Sequence, residues 1–222
     1  MKTPLILTNF KNYKTAVSNN AESLVEKHIE ARAETGANFA VAINTLDIKS
    51  IAEKFAVRLP IFAQHCDDAG YGSSTGKILP EYLRDLGVAG VILNHSENRF
   101  TEFSVLQKTV ESAKKSGLTV VLCAESAEEG EKFSQETNAD FIAVEPPELI
   151  GGDISVSNAQ PELITNSAEK IGSEKLLIGA GIKNGSDVKI AVEKGSAGVL
   201  LASGVTKSSD PKSVLLDLVS QL

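Results

Sequence analysis

The sequence predicts an α/β fold: a (β/α)8 barrel formed by a single domain over residues 1–222. Three observations carry that expectation. Eight short apolar runs recur along the chain, charged stretches with helical spacing lie between them, and glycine ends five of those stretches in the same way. Sharing the chain among eight such units leaves about 28 residues each, close to the ~30 of a βαβ motif.

The first run, Leu5–Leu7, leads into Thr8-Asn9-Phe10-Lys11. Leu24, Ile29 and Ala33 then recur near the 3.6-residue period among Glu22, Glu26, Lys27 and Glu30, which predicts a helix over 21–33. His28 lies in that charged helix and reads as a solvated side chain. Gly36 ends the helix, and the second run is Phe39–Ile43. The third, Ile61–Ala63, is followed by Gln64-His65-Cys66-Asp67. The fourth, Val88–Leu93, comes after Gly87 and gives way to Asn94-His95-Ser96-Glu97. A second helical stripe, Phe103, Leu106, Val110 and Ala113, precedes Gly117 and the fifth run, Leu118–Leu122. The sixth, Phe141–Val144, ends at Glu145-Pro146-Pro147-Glu148. The seventh, Leu176–Ile178, follows Gly172 and ends at Gly179-Ala180-Gly181. The eighth, Gly198–Leu201, follows Gly195 and ends at Ala202-Ser203-Gly204.

Most of these runs lack polar alternation, as strands of a parallel sheet buried on both faces do. Glycine just past a helix tolerates the left-handed conformation that stops it. Eight parallel strands can close into a barrel and lose both edges, or lie open as a doubly wound sheet. No GxGxxG follows the first strand, which weighs against the open dinucleotide-binding form.

Composition narrows the function classes. Hydrophobic residues make up 42% and charged residues 23%, both globular values. Net charge is -7, so the chain has no electrostatic footprint for nucleic acid or an anionic membrane surface. A small anion needs only local donors and stays possible. No apolar run reaches the length of a membrane span, and Met1-Lys2-Thr3-Pro4 opens no signal-peptide pattern, so a cytoplasmic protein is expected. Cys66 and Cys123 are too few and too far apart for a disulfide framework or a CxxC zinc site. His65-Cys66-Asp67-Asp68 cannot converge on one metal, because neighbours on an extended chain point to opposite faces. Cys123 reads as a small core residue.

In barrels of this kind the active site lies at the C-terminal ends of the strands. Those ends offer one cation (Lys11), one imidazole (His95) and one carboxylate (Glu145) on separate strands, with glycine turns after the last two. Backbone N–H groups at such turns suit a phosphate, and the loops after strands 7 and 8 share one corner of the mouth. The residues thus point to a phosphorylated small molecule and acid–base chemistry.

Asn9-Phe10-Lys11, Asn94 to Arg99 and Ala143 to Gly151 resemble the three signature segments of the triosephosphate isomerase family. Gly179 to Ile182 and Leu201 to Val205 resemble its two phosphate loops, in the short form typical of archaeal members. The likeness spans essentially the whole chain, in order, and implies the TIM-barrel fold. It also implies interconversion of dihydroxyacetone phosphate and D-glyceraldehyde 3-phosphate in glycolysis and gluconeogenesis, with no cofactor and no metal. The pKa tuning of the family's acid–base pair is well known, and these roles come with the resemblance rather than from spacing. Glu145 is the implied base, and His95, neutral and at a helix start, the electrophile. Lys11 steadies the developing negative charge, Asn9 binds substrate oxygens, and Glu97 orients Lys11. Ile150, Gly181, Ala202 and Ser203 hold the phosphate through backbone groups, with Gly151 and Gly204 close by.

Pro146-Pro147-Glu148-Leu149-Ile150-Gly151-Gly152 resembles the family's closing lid, with a stiff proline hinge and a permissive glycine one. Asp153 departs from the common Gly-Thr-Gly form and is expected to point outward or to help hold the lid. The loop Cys66–Lys77 is too long for an ordinary connection of ~2–6 residues. In the family it reaches a neighbouring subunit, so a homodimer or homotetramer is implied, with Gln64 and Tyr71 suited to that contact. Two other readings stay open here. Phosphosugar isomerases of amino-acid biosynthesis usually lack the Asn9-x-Lys11 and Asn94-His95-Ser96-Glu97 segments. A non-catalytic phosphate-binding barrel would be expected to have lost Glu145, His95 or Lys11.

Overall fold

Alternation along a strand sorts its side chains onto two faces, and in this chain both faces are apolar. In a computed structural model, which describes residues 3–146 and 161–222, eight strands close into a barrel in chain order. They are β1 (Leu5–Asn9), β2 (Asn38–Ile43), β3 (Ile61–Ala63), β4 (Gly90–Leu93), β5 (Thr119–Ala124), β6 (Phe141–Val144), β7 (Leu176–Ile178) and β8 (Gly198–Leu201). Every neighbouring pair is parallel, and β8 returns to β1 with Leu5 opposite Gly198. The closed barrel, and not the open sheet, is the fold.

Leu5, Leu7, Ala40, Ala42, Phe62, Ile92, Val121, Cys123, Ala143, Leu177 and Leu200 fill the interior. Their alternates, among them Ile6, Val41, Ile61, Leu93, Leu122, Ile142 and Val144, pack outward against the helices. Burying a side chain such as Phe62 contributes about 1.5–3 kcal/mol. Phe62 needs Gly90 opposite, because a Cβ there would lie 2.3 Å from its ring.

The helices are α1 (Asn19–Thr35), α2 (Ile48–Phe55), α3 (Pro80–Asp85), α4 (Phe103–Lys115), α5 (Ala127–Glu136), α6 (Pro161–Ile171), α7 (Gly185–Glu193), α8 (Ser203–Thr206) and α9 (Pro211–Val219), with a 3-10 turn at Lys14–Ala16. Ser126, Asn184 and Asp210 cap α5, α7 and α9 by accepting from the backbone N–H three residues on. All five helix-ending glycines of the sequence have positive φ, from 70° at Gly36 to 100° at Gly172. Among the described residues, no helix is long and apolar enough to cross a membrane.

One helical face differs from the sequence reading. The buried stripe of α1 is Ala21, Leu24, Val25, His28 and Ala31, while Ala33 is exposed. His28 is therefore fully buried, not solvated. It lies between the rings of Phe10 and Phe39, with centroids 5.6 and 6.2 Å away. Its Nδ1 is 2.8 Å from the Leu24 carbonyl and must donate, so Nε2 accepts from the Thr8 hydroxyl at 2.9 Å. The flanking charges misled the pattern, because an imidazole with both nitrogens bonded can take an apolar position.

Burial pushes the His28 pKa down to about 4. The unfolded chain then binds the extra proton first, so stability falls as pH drops below about 6.5. Between pH 6.5 and 5 the loss from this group should be about 2 kcal/mol. Urea unfolding of the parent and of His28→Leu should show it. The variant is less stable at pH 7 but has the shallower acid slope, and equal slopes would refute the assignment.

Candidate active site

The strand ends aim the polar side chains. Asn9, at the end of β1, continues the inward series Leu5, Leu7. Phe10 points outward into the helix layer, and Lys11 turns back with φ 49°. The Lys11 N–H donates to Asn9 Oδ1 at 3.0 Å. Gln64, past β3, donates from Nε2 to Asn9 Oδ1, the Lys11 carbonyl and the Ala42 carbonyl at 3.1–3.3 Å. These bonds hold the left-handed turn that puts Lys11 at the mouth. Gln64, at the base of the long loop after β3, thus braces the end of β1 in its own chain.

Asn94 follows Ile92 on the inner face of β4 and also has positive φ, 59°. It is buried, donates to the Cys123 carbonyl at 3.0 Å and accepts from the Phe100 N–H at 3.1 Å. The strand alternation breaks there, and His95 faces the cavity instead of the helices. His95 was expected at a helix start, but it stands in a turn closed by Asn98 N–H on its carbonyl at 2.7 Å. Helix α4 begins only at Phe103. The turn does what a helix end would have done: the Glu97 N–H donates to His95 Nδ1 at 3.1 Å. Nδ1 is therefore the acceptor, and Nε2 carries the proton toward the cavity.

Glu145 is next in the inward series Phe141, Ala143 of β6. Its N–H donates to the Ala124 carbonyl at 2.8 Å, extending the sheet ladder one residue. The carboxyl is buried, with Oε1 3.6 Å from His95 Nε2. Among the described residues, Oε2 meets no hydrogen-bond partner. Desolvation pushes the Glu145 pKa up to about 7, against the Cys123 thiol and Lys11, which pull it down, with Glu97 adding to the rise. Desolvation also holds His95 below its ordinary value, helped by Lys11 and opposed by Glu97, so the ring is neutral at pH 7. The Lys11 ammonium pairs with Glu97 at 2.7 Å.

One cavity of about 680 Å³ gathers Asn9, Lys11, His95, Glu97, Glu145, Gly181, Ala202, Ser203 and Gly204, all predicted from the sequence. The turn after β7 and the first turn of α8 both line it. There the Val205 and Thr206 N–H groups bond back to the Ala202 carbonyl, while those of Ser203 and Gly204 precede any intrahelical acceptor. Pro146 is buried beside Glu145. Pro147, Glu148, Leu149, Ile150, Gly151, Gly152 and Asp153, the rest of the expected lid and its hinge, lie outside the described residues.

Tyr13, Lys183 and Lys207 also line the cavity and escaped the sequence reading. Lys207 Nζ sits 4.4 Å above the Tyr13 ring, a pairing of the two chain ends that no local pattern encodes. Asn94 was open to detection, because asparagine tolerates positive φ at a strand end. A second cavity of about 540 Å³ adjoins the first, shares Asn9, Lys11, His95 and Glu97, and extends to Asn44, Thr45, Gln64 and His65. The Cys66–Lys77 loop beside it is tied at its base by Asp67, which accepts from Lys77 Nζ and the Ile78 N–H at 2.9 and 2.8 Å. Tyr71 is 62% exposed near its tip and donates to Asp85 of its own chain at 2.6 Å.

A buried carboxyl whose pKa desolvation raises, a neutral imidazole donor 3.6 Å away and a nearby ammonium form an acid–base set. Such a set can move a proton at a carbon next to a carbonyl and steady the resulting oxyanion. The glycine turns that line the same cavity add backbone donors for a phosphate.

Comparison with known proteins agrees. The family model described as Triosephosphate isomerase matches residues 4–222. A triosephosphate isomerase of Methanobacterium bryantii is 40% identical over 225 aligned residues, covering 100% of this chain and 98% of its own. Those of Methanosarcina acetivorans and Methanothermobacter thermautotrophicus are also 40% identical, over 99% of this chain and 99% and 96% of theirs.

Proposed function

The chain belongs to the triosephosphate isomerase family, and from that premise we propose that it interconverts dihydroxyacetone phosphate and D-glyceraldehyde 3-phosphate through an enediol(ate). The reading is carried by one observation: Glu145 and His95 stand 3.6 Å apart in a cavity that the glycine turns after β7 and β8 also line. A triose seated over this pair would present its reacting carbons to both side chains and its phosphate to the turns.

The Glu145 carboxylate removes the proton from the carbon beside the carbonyl. The His95 Nε2–H hydrogen-bonds the carbonyl oxygen as negative charge grows there, and as a neutral ring it is a donor matched to an enediolate. Lys11 adds its charge to the same oxygen region, held by Glu97. Asn9 orients the substrate oxygens. Glu145 then returns the proton to the former carbonyl carbon, while the hydroxyl proton on the other carbon passes to the former carbonyl oxygen, so that hydroxyl becomes the new carbonyl. Oxidation of one carbon balances reduction of the other, so no cofactor is called for. Gly181, Ala202, Ser203 and Gly204 take the phosphate.

The test is turnover of glyceraldehyde 3-phosphate in D₂O by protein purified from a host lacking its own isomerase. Product carrying solvent deuterium on carbon is expected, because the proton passes through an exchangeable carboxyl. Turnover without label, or no turnover by folded protein, would overturn the reading.

The protein works in the cytoplasm as one domain over residues 1–222, assembled as a homodimer or homotetramer. Support for the assembly comes from the cavity beside Gln64 and His65, and from Tyr71 and Leu46, 62% and 92% exposed. Sedimentation should give two or four times the chain mass of 23.5 kDa, and a monomer alone would count against it.

A further inference from the structure

Gly179 stands directly beside the proposed base. It follows β7, and its N–H donates to the Val144 carbonyl at 2.9 Å, which extends the β6–β7 ladder level with Glu145. Unlike Gly181, with φ 70°, Gly179 is not among the residues of positive φ. Its backbone therefore suits any L-residue, and glycine is needed there for another reason. A Cβ at Gly179 would lie 2.2 Å from Glu145 Cγ, and 3.0 Å from both Cδ and Oε1. The first distance is far inside van der Waals contact.

From this we infer that Gly179 is a positioning residue for Glu145: its missing side chain is the slot through which the glutamate reaches His95. The inference rests on the reading of Glu145 as the base. The clash has one way to relax. The backbone on both sides is tied into the ladder, by Gly179 N–H on Val144 and Glu145 N–H on Ala124. The interior beneath is filled by Ala143 and Leu177, both fully buried. A methyl at Gly179 must turn the Glu145 side chain outward, toward the open mouth. Displacement of about 1 Å at a reacting group costs on the order of 100-fold in rate. It also returns the carboxyl to water.

Gly179→Ala should lower kcat about 100-fold with KM within threefold, since Gly181, Ala202, Ser203 and Gly204, which take the phosphate, keep their identities. The acid limb of kcat/KM, near pH 7 in the parent, should move down toward the ordinary carboxylate range. The groups facing the carboxyl, His95, Lys11, Glu97 and the Cys123 thiol, are the same in both proteins, so the move reports its hydration. Gly181→Ala is the contrast: it strains the phosphate turn, raises KM and leaves the limb in place. Unfolding in urea gives a second readout. Gly179→Ala should destabilise the parent but cost nothing in a Glu145→Ala background, which has no Cγ to strike. An equal cost in both backgrounds, or an unmoved limb with kcat within threefold, would overturn the inference. Full activity of Glu145→Gln would instead refute the base assignment beneath it, so the two failures are distinguishable.

Discussion

Glu145→Gln should lower kcat by about 10³–10⁴-fold, because it removes a general base while keeping size and burial. KM should change little, since Gly181, Ala202, Ser203 and Gly204, the cavity residues that take the phosphate, are unchanged. The acid limb near pH 7 should disappear with it. The sign follows from the raised pKa. Only the carboxylate can accept the proton, so parent activity climbs as pH rises through about 7. Stability should move the other way. Folding favours the neutral acid, so the stability present at low pH is lost as pH rises from the ordinary carboxylate range through 7. The amide carries no such penalty, and at pH 8 the variant should be the more stable by on the order of 2 kcal/mol. Steady-state kinetics with urea unfolding at pH 6 and 8 would check both halves. Activity within tenfold of the parent would remove Glu145 as the base, and a less stable variant at pH 8 would remove desolvation as the cause of its shifted pKa.

Lys11→Met should cut kcat/KM by at least about 10²–10³-fold, the scale for losing one donor from a preorganised oxyanion site. The ammonium is largely buried, with 12% of its side chain exposed, so its charge is weakly screened by solvent. Its field also acts on both partners of the acid–base pair. It pulls the Glu145 pKa down and opposes protonation of His95. Removing it should therefore shift the acid limb to higher pH and let His95 protonate more readily. A rate loss with an unchanged limb would mean that Lys11 contributes binding alone. A variant within tenfold of the parent would remove it from the mechanism.

Much of this was legible in one dimension. A strand buried on both faces has to be an unbroken apolar run, and a helix ended by a left-handed residue favours glycine. Those local rules located all eight strands and the five glycine stops. Because barrel strands run parallel, their C-terminal ends share one mouth, so Asn9, Lys11, His95 and Glu145 could be grouped before any coordinates. Where the reading failed, it judged a side chain by its sequence neighbours. His28 has charged neighbours, yet its surroundings in space are Phe10, Phe39 and the Thr8 hydroxyl.

The sequence by itself determined the eight strand–helix units and the inventory of groups at their C-terminal ends. It did so because hydrophobic period and turn chemistry are properties of adjacent residues. The tertiary structure alone decided which His95 nitrogen carries the proton, how far the Glu145 pKa rises, that Gly179 must lack a side chain, and that Lys207 meets Tyr13. Each depends on distances between strand ends far apart in the chain, and on how much water barrel closure leaves around a charge. Desolvation and contact are sums over neighbours in space, and no window along the chain contains them.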